Sequence, residues 1–254
     1  MKKWQIINIV ALVVTLAVNG LANYLPLNGQ TTGEVSDSIP TLFTPPGYVF
    51  SIWGLIYLWL LAFVCYQALR AQRDTDFLVR IGPWFAISCA CNLVWLVLWH
   101  WEQFPLTEVL MVGLLASLIV LYVRLGIGRR KVSTGEKWLV QAPFSIYLGW
   151  ISVATIANTS ILLYTLNWGR WGISEQVWTI LVIIVAAALG VAMTLLRSDI
   201  AYPLVIVWAA IGIVVARGDM PAIAITAGTC AALVVLVLLL SRVAGVRKST
   251  GAEA

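Results

Sequence analysis

Long apolar runs recur along almost the whole chain, and they restrict it to a membrane fold more strongly than any other feature. A helix needs roughly 20 apolar residues to cross a bilayer, whereas a strand of a membrane barrel shows only about ten residues of alternating polarity. Because backbone polar groups in lipid must be satisfied internally, these runs indicate helices. We therefore predict an all-α integral membrane protein with about eight transmembrane helices. The predicted spans are 6–25, 48–69, 81–99, 106–125, 138–166, 177–196, 200–216 and 221–240.

The composition supports this interpretation. Charged residues make up 11% of the chain, against about 25% in a soluble domain. The mean hydropathy is +0.93. The eight spans and their short connections account for nearly all 254 residues, so the sequence excludes a separate soluble domain.

The basic residues are distributed unevenly between the two predicted sides of the membrane. If eight spans alternate in direction, every Lys and Arg except Arg170 and Arg217 falls on one side. Cytoplasmic loops are the ones that retain positive charge, so both termini are expected in the cytoplasm. The short loops and the start at Lys2 and Lys3 favour a bacterial cytoplasmic membrane, with an organelle membrane of bacterial descent as the alternative. The net charge of +5 sits at helix ends, which indicates lipid headgroups as partners and no nucleic acid.

Aromatic and amide side chains at membrane depth are the candidate functional residues. Some repeat at helical spacing: Trp53 and Tyr57 are four apart, and Asn92 and Trp95 are three apart. Polar groups at such depth face a bundle interior or a cavity. Two interpretations remain open, contact with a ligand and hydrogen bonding between helices. The candidates, which include a stripe on the fifth span that also contains Ala154, are Trp53, Tyr57, Asn92, Trp95, Tyr147, Trp150 and Asn158.

The other conspicuous residues have simpler interpretations. Most of the 13 tryptophans, Trp99 among them, are assigned to the aromatic belts at the membrane interfaces. His100 is predicted to be solvated in a short interfacial loop, and Glu108 to be an interfacial carboxylate at a helix N-terminus. No span holds a convincing pair of carboxylates, so we predict no catalytic residue, no metal site and no obligatory cofactor.

The last three spans are rich in aliphatic residues and are interpreted as scaffold. Small residues repeat there at four-residue spacing, which allows helices to approach closely in lipid. The residues are Ala186 and Gly190, followed by Ala224, Gly228 and Ala232.

Three segments resemble the TspO/translocator protein family, also called tryptophan-rich sensory proteins. They are FTPPGYVFSIWGLIY at 43–57, NLVW at 92–95 and YLGWISVATIAN at 147–158, and Glu108 matches an acidic position of the fourth family helix. Their order and spacing agree with the family over residues 1–167. The chain departs from the family pattern at Phe43 and Ile146, and three further helices follow residue 167.

The resemblance implies a five-helix bundle over 1–167 that binds tetrapyrroles such as porphyrin or haem, and in some members sterols or synthetic ligands. The apolar runs add three transmembrane helices and a short basic cytoplasmic tail in 168–254, which the family pattern lacks. The two prominent family tryptophans match Trp53 and Trp150, and Tyr57, Asn92, Tyr147 and Asn158 match further motif positions. The resemblance also implies a membrane receptor or carrier, breakdown of bound porphyrin in light in some relatives, and a homodimer by analogy.

Three other functions are compared with this one. An integral membrane enzyme acting on a polyprenyl or carotenoid lipid would need paired acids or a metal cluster, and a small-molecule transporter would be favoured by charged residues within the spans. The sequence shows almost none of these. A small structural or sensory partner that acts through membrane contacts is not excluded.

Overall fold

The computed structural model describes residues 2–250, apart from the side chains of Asn23 and of residues 245–250. Within that part the chain forms helices and no strand. The predicted basic tail residues Arg247 and Lys248, as well as Met1 and residues 251–254, therefore lie outside the described side chains. The eight long helices are α1 (Lys3–Tyr24), α2 (Ile52–Ala68), α3 (Trp84–His100), α4 (Phe104–Leu125), α5 (Ala142–Thr165), α6 (Glu175–Arg197), α7 (Ala201–Ala216) and α8 (Pro221–Thr250).

Six apolar helical segments are long enough to cross a membrane by length and composition, and α3 and α7 are shorter apolar helices. The chain is thus an all-α, multi-pass integral membrane protein, as predicted. Short helices occur in the connections, at Thr32–Asp37 after α1 and at Asp76–Ile81 before α3. A widened turn at Lys137–Gln141 leads into α5 and ends just before Pro143, which has no backbone N–H to donate.

The first five helices form a closed ring. α1 contacts α2 and α3, α4 lies between α3 and α5, and α5 returns to α2. The rings of Phe63, Phe85 and Phe144 pack edge to face at one end of this bundle, with centroids 5.1–5.5 Å apart. These three buried rings join α2, α3 and α5 into one apolar core.

The last three helices pack on the outside of this ring. α7 lies against α5, and α6 and α8 contact both α7 and each other. The predicted close approach at Gly190 is confirmed, because a Cβ there would lie 3.4 Å from Val234 of α8. The prediction for α8 is confirmed only in part: a Cβ at Gly228 would lie 3.7 Å from Val214 of α7, but Ala232 is exposed, and Ala227 and Ala231 are the small residues on the buried face. Whether 1–167 and 168–254 are separate domains stays a prediction.

The two ends of the bundle differ in charge. At one end, here called the basic end, Arg130 Nη1 lies 3.1 Å from Asp76 Oδ2, and Arg242 Nη2 donates to the Ser198 carbonyl oxygen across 2.7 Å. At the opposite end, Arg217 donates to backbone carbonyls of the loop between α1 and α2. The segregation of basic side chains thus follows the predicted alternation, and the side of the membrane that each end faces stays a prediction.

Candidate functional site

A cavity of about 450 Å³ opens at the end of the bundle opposite to the basic end, between the first loop and helices α1, α2 and α3. We call it the aromatic cavity. A much smaller apolar chamber of about 30 Å³ adjoins it and reaches α4 and α5. The two spaces share the lining residues Phe50, Trp53 and Trp95. The aromatic cavity is lined by Asn19, Thr31, Thr32, Gly33, Glu34, Asp37, Gly47, Phe50, Trp53, Tyr57, Trp95 and Leu96.

Trp53 is the centre of the aromatic cluster. Its ring stacks on Tyr57 with centroids 5.3 Å apart, as the four-residue spacing predicted. It also meets Tyr147 and Trp150 edge to face, at 5.9 and 6.2 Å. Trp53 and Tyr57 line the aromatic cavity, whereas Trp150 lines the apolar chamber and Tyr147 is buried behind Trp53. The predicted residues are therefore brought together, but in two layers.

The segment before α2 is held stiffly where it borders the cavity. Pro45 and Pro46 fix their backbone φ angles, and Val49 N–H donates to the Pro46 carbonyl oxygen across 2.9 Å to start the helical turn Gly47–Ser51. Helix α7 supports this segment from outside the ring, because Trp208 Nε1 donates to the Val49 carbonyl oxygen across 3.1 Å. Helix α7 thus supports the segment that borders the cavity, a role that the sequence did not indicate.

A first polar network joins α1, α2 and α3 beside the cavity. Tyr57 Oη donates to Asn19 Oδ1 across 2.8 Å, and Asn19 Nδ2 donates to Asn92 Oδ1 across 3.0 Å. Asn92 is 1% exposed and does not line the cavity. It orients Asn19, which does line it. The sequence placed Asn92 beside Trp95, but its hydrogen-bond partner lies on α1.

A second polar network joins α3, α4 and α5. Trp95 Nε1 donates to Asn158 Oδ1 across 3.0 Å, and Asn158 Nδ2 donates to Glu108 Oε2 across 2.6 Å. Thr159 Oγ1 donates to the other Glu108 oxygen across 2.7 Å. Glu108, near the start of α4, is therefore hydrogen-bonded to α5, and its position at the membrane interface stays a prediction. Both networks thus contain hydrogen bonds between helices, one of the two interpretations left open by the sequence, and contact of these residues with a ligand stays a prediction.

The Trp150 indole is one of the buried donors in this region that lack an acceptor within the described part of the chain. Trp150 is 1% exposed, and its Nε1 has no hydrogen-bond partner among the described residues. Its ring is packed edge to face against Phe50 with centroids 5.6 Å apart. Leaving a buried donor unpaired costs about 1–3 kcal/mol. An acceptor atom placed in the apolar chamber, which Trp150 lines, would relieve that cost.

The ionisable groups around the aromatic cavity are acidic. Glu34 and Asp37 line it, and no Lys, Arg or His is among its lining residues. Thr31 is the N-cap of the helix Thr32–Asp37, and its backbone N–H donates to Glu34 Oε2 across 2.6 Å. This hydrogen bond lowers the pKa of Glu34, which is therefore ionised at neutral pH. The mouth of the cavity repels anions.

Several site residues escaped the sequence analysis. Trp99 was assigned to the interfacial belt, but it is 3% exposed, stacks on Trp95 at 5.1 Å and donates to the Thr32 carbonyl oxygen across 3.1 Å. Its four-residue spacing from Trp95 was the available signal. Asn19 was also missed, and the available signal was its single amide within an apolar run. For Phe50, the sequence offered no signal beyond its place in the motif.

His100 was also predicted wrongly. It lies in the last turn of α3, is 1% exposed, and its Nδ1 lies 2.8 Å from the Leu96 carbonyl oxygen. The α3 helix extends further than the predicted span, and this places the imidazole inside the protein instead of in a solvated loop.

Comparison with known proteins agrees with this architecture. The sequence model of the TSPO-like protein family matches residues 5–240, which includes most of α8 as well as the ring of five helices. No curated protein and no solved structure matches the chain. The family match covers most of the sequence and runs through the helices that the resemblance had treated as additional. The chain belongs to the TSPO-like protein family.

Proposed function

We propose that this protein is a membrane receptor or carrier that binds a flat, hydrophobic small molecule in the aromatic cavity, with a tetrapyrrole as the leading candidate. The observation that carries the proposal is the stacked pair of Trp53 and Tyr57 on a wall of a cavity of about 450 Å³. Ligand pockets typically enclose roughly 300–1,000 Å³ and combine apolar walls with a few polar groups. Here the polar groups are Asn19 and the Tyr57 hydroxyl, which are fixed by their mutual hydrogen bond.

The same arrangement supports a planar ligand over a globular one. Trp53 and Tyr57 are both partly exposed and already stack on each other with an interplanar angle of 27°, so a planar ring would extend this stack on an outer face of the pair. Stacked or edge-to-face aromatic pairs contribute about 0.5–1.5 kcal/mol beyond the area they bury. Trp150 lies one layer deeper and supports Trp53 by an edge-to-face contact. Trp53 is thus expected to touch the ligand, and Trp150 to position Trp53.

The acidic mouth restricts the chemistry of the ligand. Glu34 and Asp37 would repel the propionate groups of a free-acid porphyrin, and no basic side chain on the lining offsets them. We therefore expect the polar end of the ligand to be neutral or cationic. A tetrapyrrole with esterified carboxylates should bind more tightly than the corresponding free acid.

The first test is a titration of the purified full-length protein with protoporphyrin dimethyl ester, followed by the porphyrin absorption band and by quenching of tryptophan fluorescence. Trp53→Ala should weaken binding about tenfold, which corresponds to ~1.4 kcal/mol. Trp150→Phe should weaken it by a smaller factor. Trp138→Ala is the matched control, since this tryptophan lies at the basic end, and it should bind as the wild type does. Equal losses in Trp53→Ala and Trp138→Ala, or no binding by the wild type, would refute the proposal.

The second test compares two ligands that share one macrocycle and differ in the two propionate groups, which are carboxylates in one and methyl esters in the other. The ratio of the dissociation constants of protoporphyrin and its dimethyl ester should fall toward one in the double variant Glu34→Gln/Asp37→Asn. The control is Glu102→Gln/Asp219→Asn, which removes two acids that do not line the cavity. Because the same two ligands are used with every variant, the difference in their solubility cancels when the ratios of two variants are compared. A wild type that prefers the free acid would contradict the expected role of the acidic mouth.

A further inference from the structure

A second large cavity, of about 560 Å³, lies at the basic end of the molecule and is independent of the aromatic cavity. The connection between α4 and α5, the start of α5, the connection between α6 and α7, and helix α8 all contribute to it. We call it the basic cavity. Because both the ring of five helices and the outer three helices line it, it exists only in the assembled chain.

Cationic side chains surround the basic cavity. Arg130, Lys131, Lys137 and Arg242 all line it. Arg130 is neutralised, since its Nη2 lies 2.8 Å from Glu136 Oε1 and its Nη1 contacts Asp76. Within residues 2–244, none of the other three forms an ion pair. Three exposed cations are therefore left at the cavity without an ion-pair partner among the described residues.

One carboxylate, that of Asp199, lines the floor of the cavity, and both of its oxygens accept hydrogen bonds from the protein. Asp199 is 6% exposed, and its Oδ2 accepts from Tyr122 Oη at 2.7 Å and from Ser145 Oγ at 2.5 Å. Its Oδ1 accepts from the Ala201 backbone N–H at 3.0 Å. Asp199 thus holds α4, α5 and α7 together below the cavity. It offsets one of the three cations, and the rim stays net positive.

The surroundings of the cavity place it at the polar edge of a bilayer. Trp138, which lines it, is about half exposed and stacks parallel to Trp59 with centroids 6.5 Å apart, as expected for an interfacial aromatic pair. On α8, Leu239 and Val243 flank Arg242 and are more than half exposed. An apolar surface therefore begins where the cationic rim ends.

We propose that the basic cavity binds the phosphate group of an anionic phospholipid. Lys131, Lys137 and Arg242 supply the charges that attract a phosphate, and the exposed apolar face of α8 supplies a surface for the acyl chains. Basic pockets between transmembrane helices hold anionic headgroups in this way. The apolar face beside Arg242 favours a lipid over a soluble phosphate compound, because a soluble anion would make no use of it.

The test is native mass spectrometry of the detergent-purified full-length protein with added lipid. Phosphatidylglycerol is compared with phosphatidylcholine of the same acyl chains, and with glycerol phosphate as the soluble headgroup. The cavity variant is Lys131→Gln/Lys137→Gln/Arg242→Gln. The matched control is Arg70→Gln/Arg73→Gln/Arg129→Gln, which removes three exposed cations from the same end without touching the cavity.

The wild type should bind phosphatidylglycerol at least tenfold more tightly than phosphatidylcholine or glycerol phosphate. The cavity variant should lose about a hundredfold of that affinity, which corresponds to about fivefold per removed cation, whereas the control should change less than threefold. Equal losses in both triple variants, equal binding of both lipids, or binding of glycerol phosphate as tight as that of the lipid would overturn the proposal. If the triple variant cannot be purified, the single variant Lys131→Gln decides, with a fivefold loss expected and an unchanged affinity counting against the proposal.

Discussion

The indole N–H of Trp95 donates to Asn158 Oδ1 across 3.0 Å and thereby joins α3 to α5 at the boundary between the aromatic cavity and the apolar chamber. The Asn158 amide continues to Glu108 on α4, so three neighbouring helices of the ring share one amide side chain. In lipid, helices are not driven together by the hydrophobic effect, and such bonds between helices contribute to their association. The chamber keeps its shape because its walls are bonded to each other.

Replacing Asn158 by Leu should destabilise the protein. The substitution leaves the Trp95 indole N–H and one Glu108 oxygen without their partners in a buried position, which costs about 1–3 kcal/mol. Thermal unfolding of the detergent-purified protein would show a lower midpoint temperature. Ser160→Ala is the matched control on the same helix, because Ser160 Oγ donates only to the Ile156 carbonyl oxygen of its own helix. Equal midpoint temperatures of unfolding for the two variants would show that the Asn158 amide does not stabilise the protein.

Patterns within one helix were predictable from the sequence. The stacking of Trp53 on Tyr57 follows from their four-residue spacing. The partner of Asn92 could not be predicted, because its spacing from Trp95 shows only that the two share a helix face. The acceptor of the Trp95 indole is Asn158, which lies 63 residues further along the chain. A single sequence contains no signal for a contact between helices so far apart.

The contact by which α7 supports the first loop could not be predicted from the sequence either. Trp208 and Val49 are 159 residues apart, and local patterns report only that α7 is apolar. The most deeply buried face of α8 could not be predicted for a related reason. Small residues occur on two adjacent faces of that helix, and only packing against α6 and α7 selects the face with Ala227 and Ala231.

Arg217→Gln should loosen the first loop at the opposite end. Arg217 Nη2 donates to the Thr41 carbonyl oxygen across 2.7 Å and its Nε to that of Leu42 across 3.0 Å, so the guanidinium fastens the loop to the end of α7. Glutamine is shorter and cannot reproduce the two bonds. Hydrogen–deuterium exchange of the variant should be faster in the peptide that spans residues 41–49.

Arg242→Gln is the control for this effect. Its side chain also donates to a backbone carbonyl, that of Ser198, but at the basic end. Exchange should increase around Ser198 and stay unchanged in residues 41–49. A uniform increase across the chain in either variant would indicate general destabilisation, and would contradict a local role for Arg217.

The ion pairs of Asp76 should make stability depend on pH. A hydrogen bond from Arg80 and the charges of Arg80 and Arg130 lower the pKa of Asp76 in the folded protein. Because the pKa of Asp76 is lower in the folded than in the unfolded protein, its ionised carboxylate stabilises the folded state at pH values above the unfolded pKa. This stabilisation is lost as the pH falls through the folded pKa. The midpoint difference between wild type and Asp76→Asn should therefore be largest near neutral pH and vanish in strong acid. Asp219→Asn, which removes an acid outside the observed ion pairs, should show a smaller difference at neutral pH.

Gly128→Ala should impair folding more than any of these changes. Gly128 lies between α4 and α5 with φ at +76°, a conformation that disfavours side chains, and a Cβ there would collide with the Arg197 carbonyl oxygen at the end of α6. Relief requires the α6–α7 connection to move away from the ring, so we expect a loss of about 2–4 kcal/mol. Gly169→Ala is the control, since its Cβ would meet no atom within 4 Å and its φ is −72°. The yield and the midpoint of thermal unfolding should fall for Gly128→Ala alone, and a variant as stable as Gly169→Ala would show that the outer three helices are not held against the ring at this point.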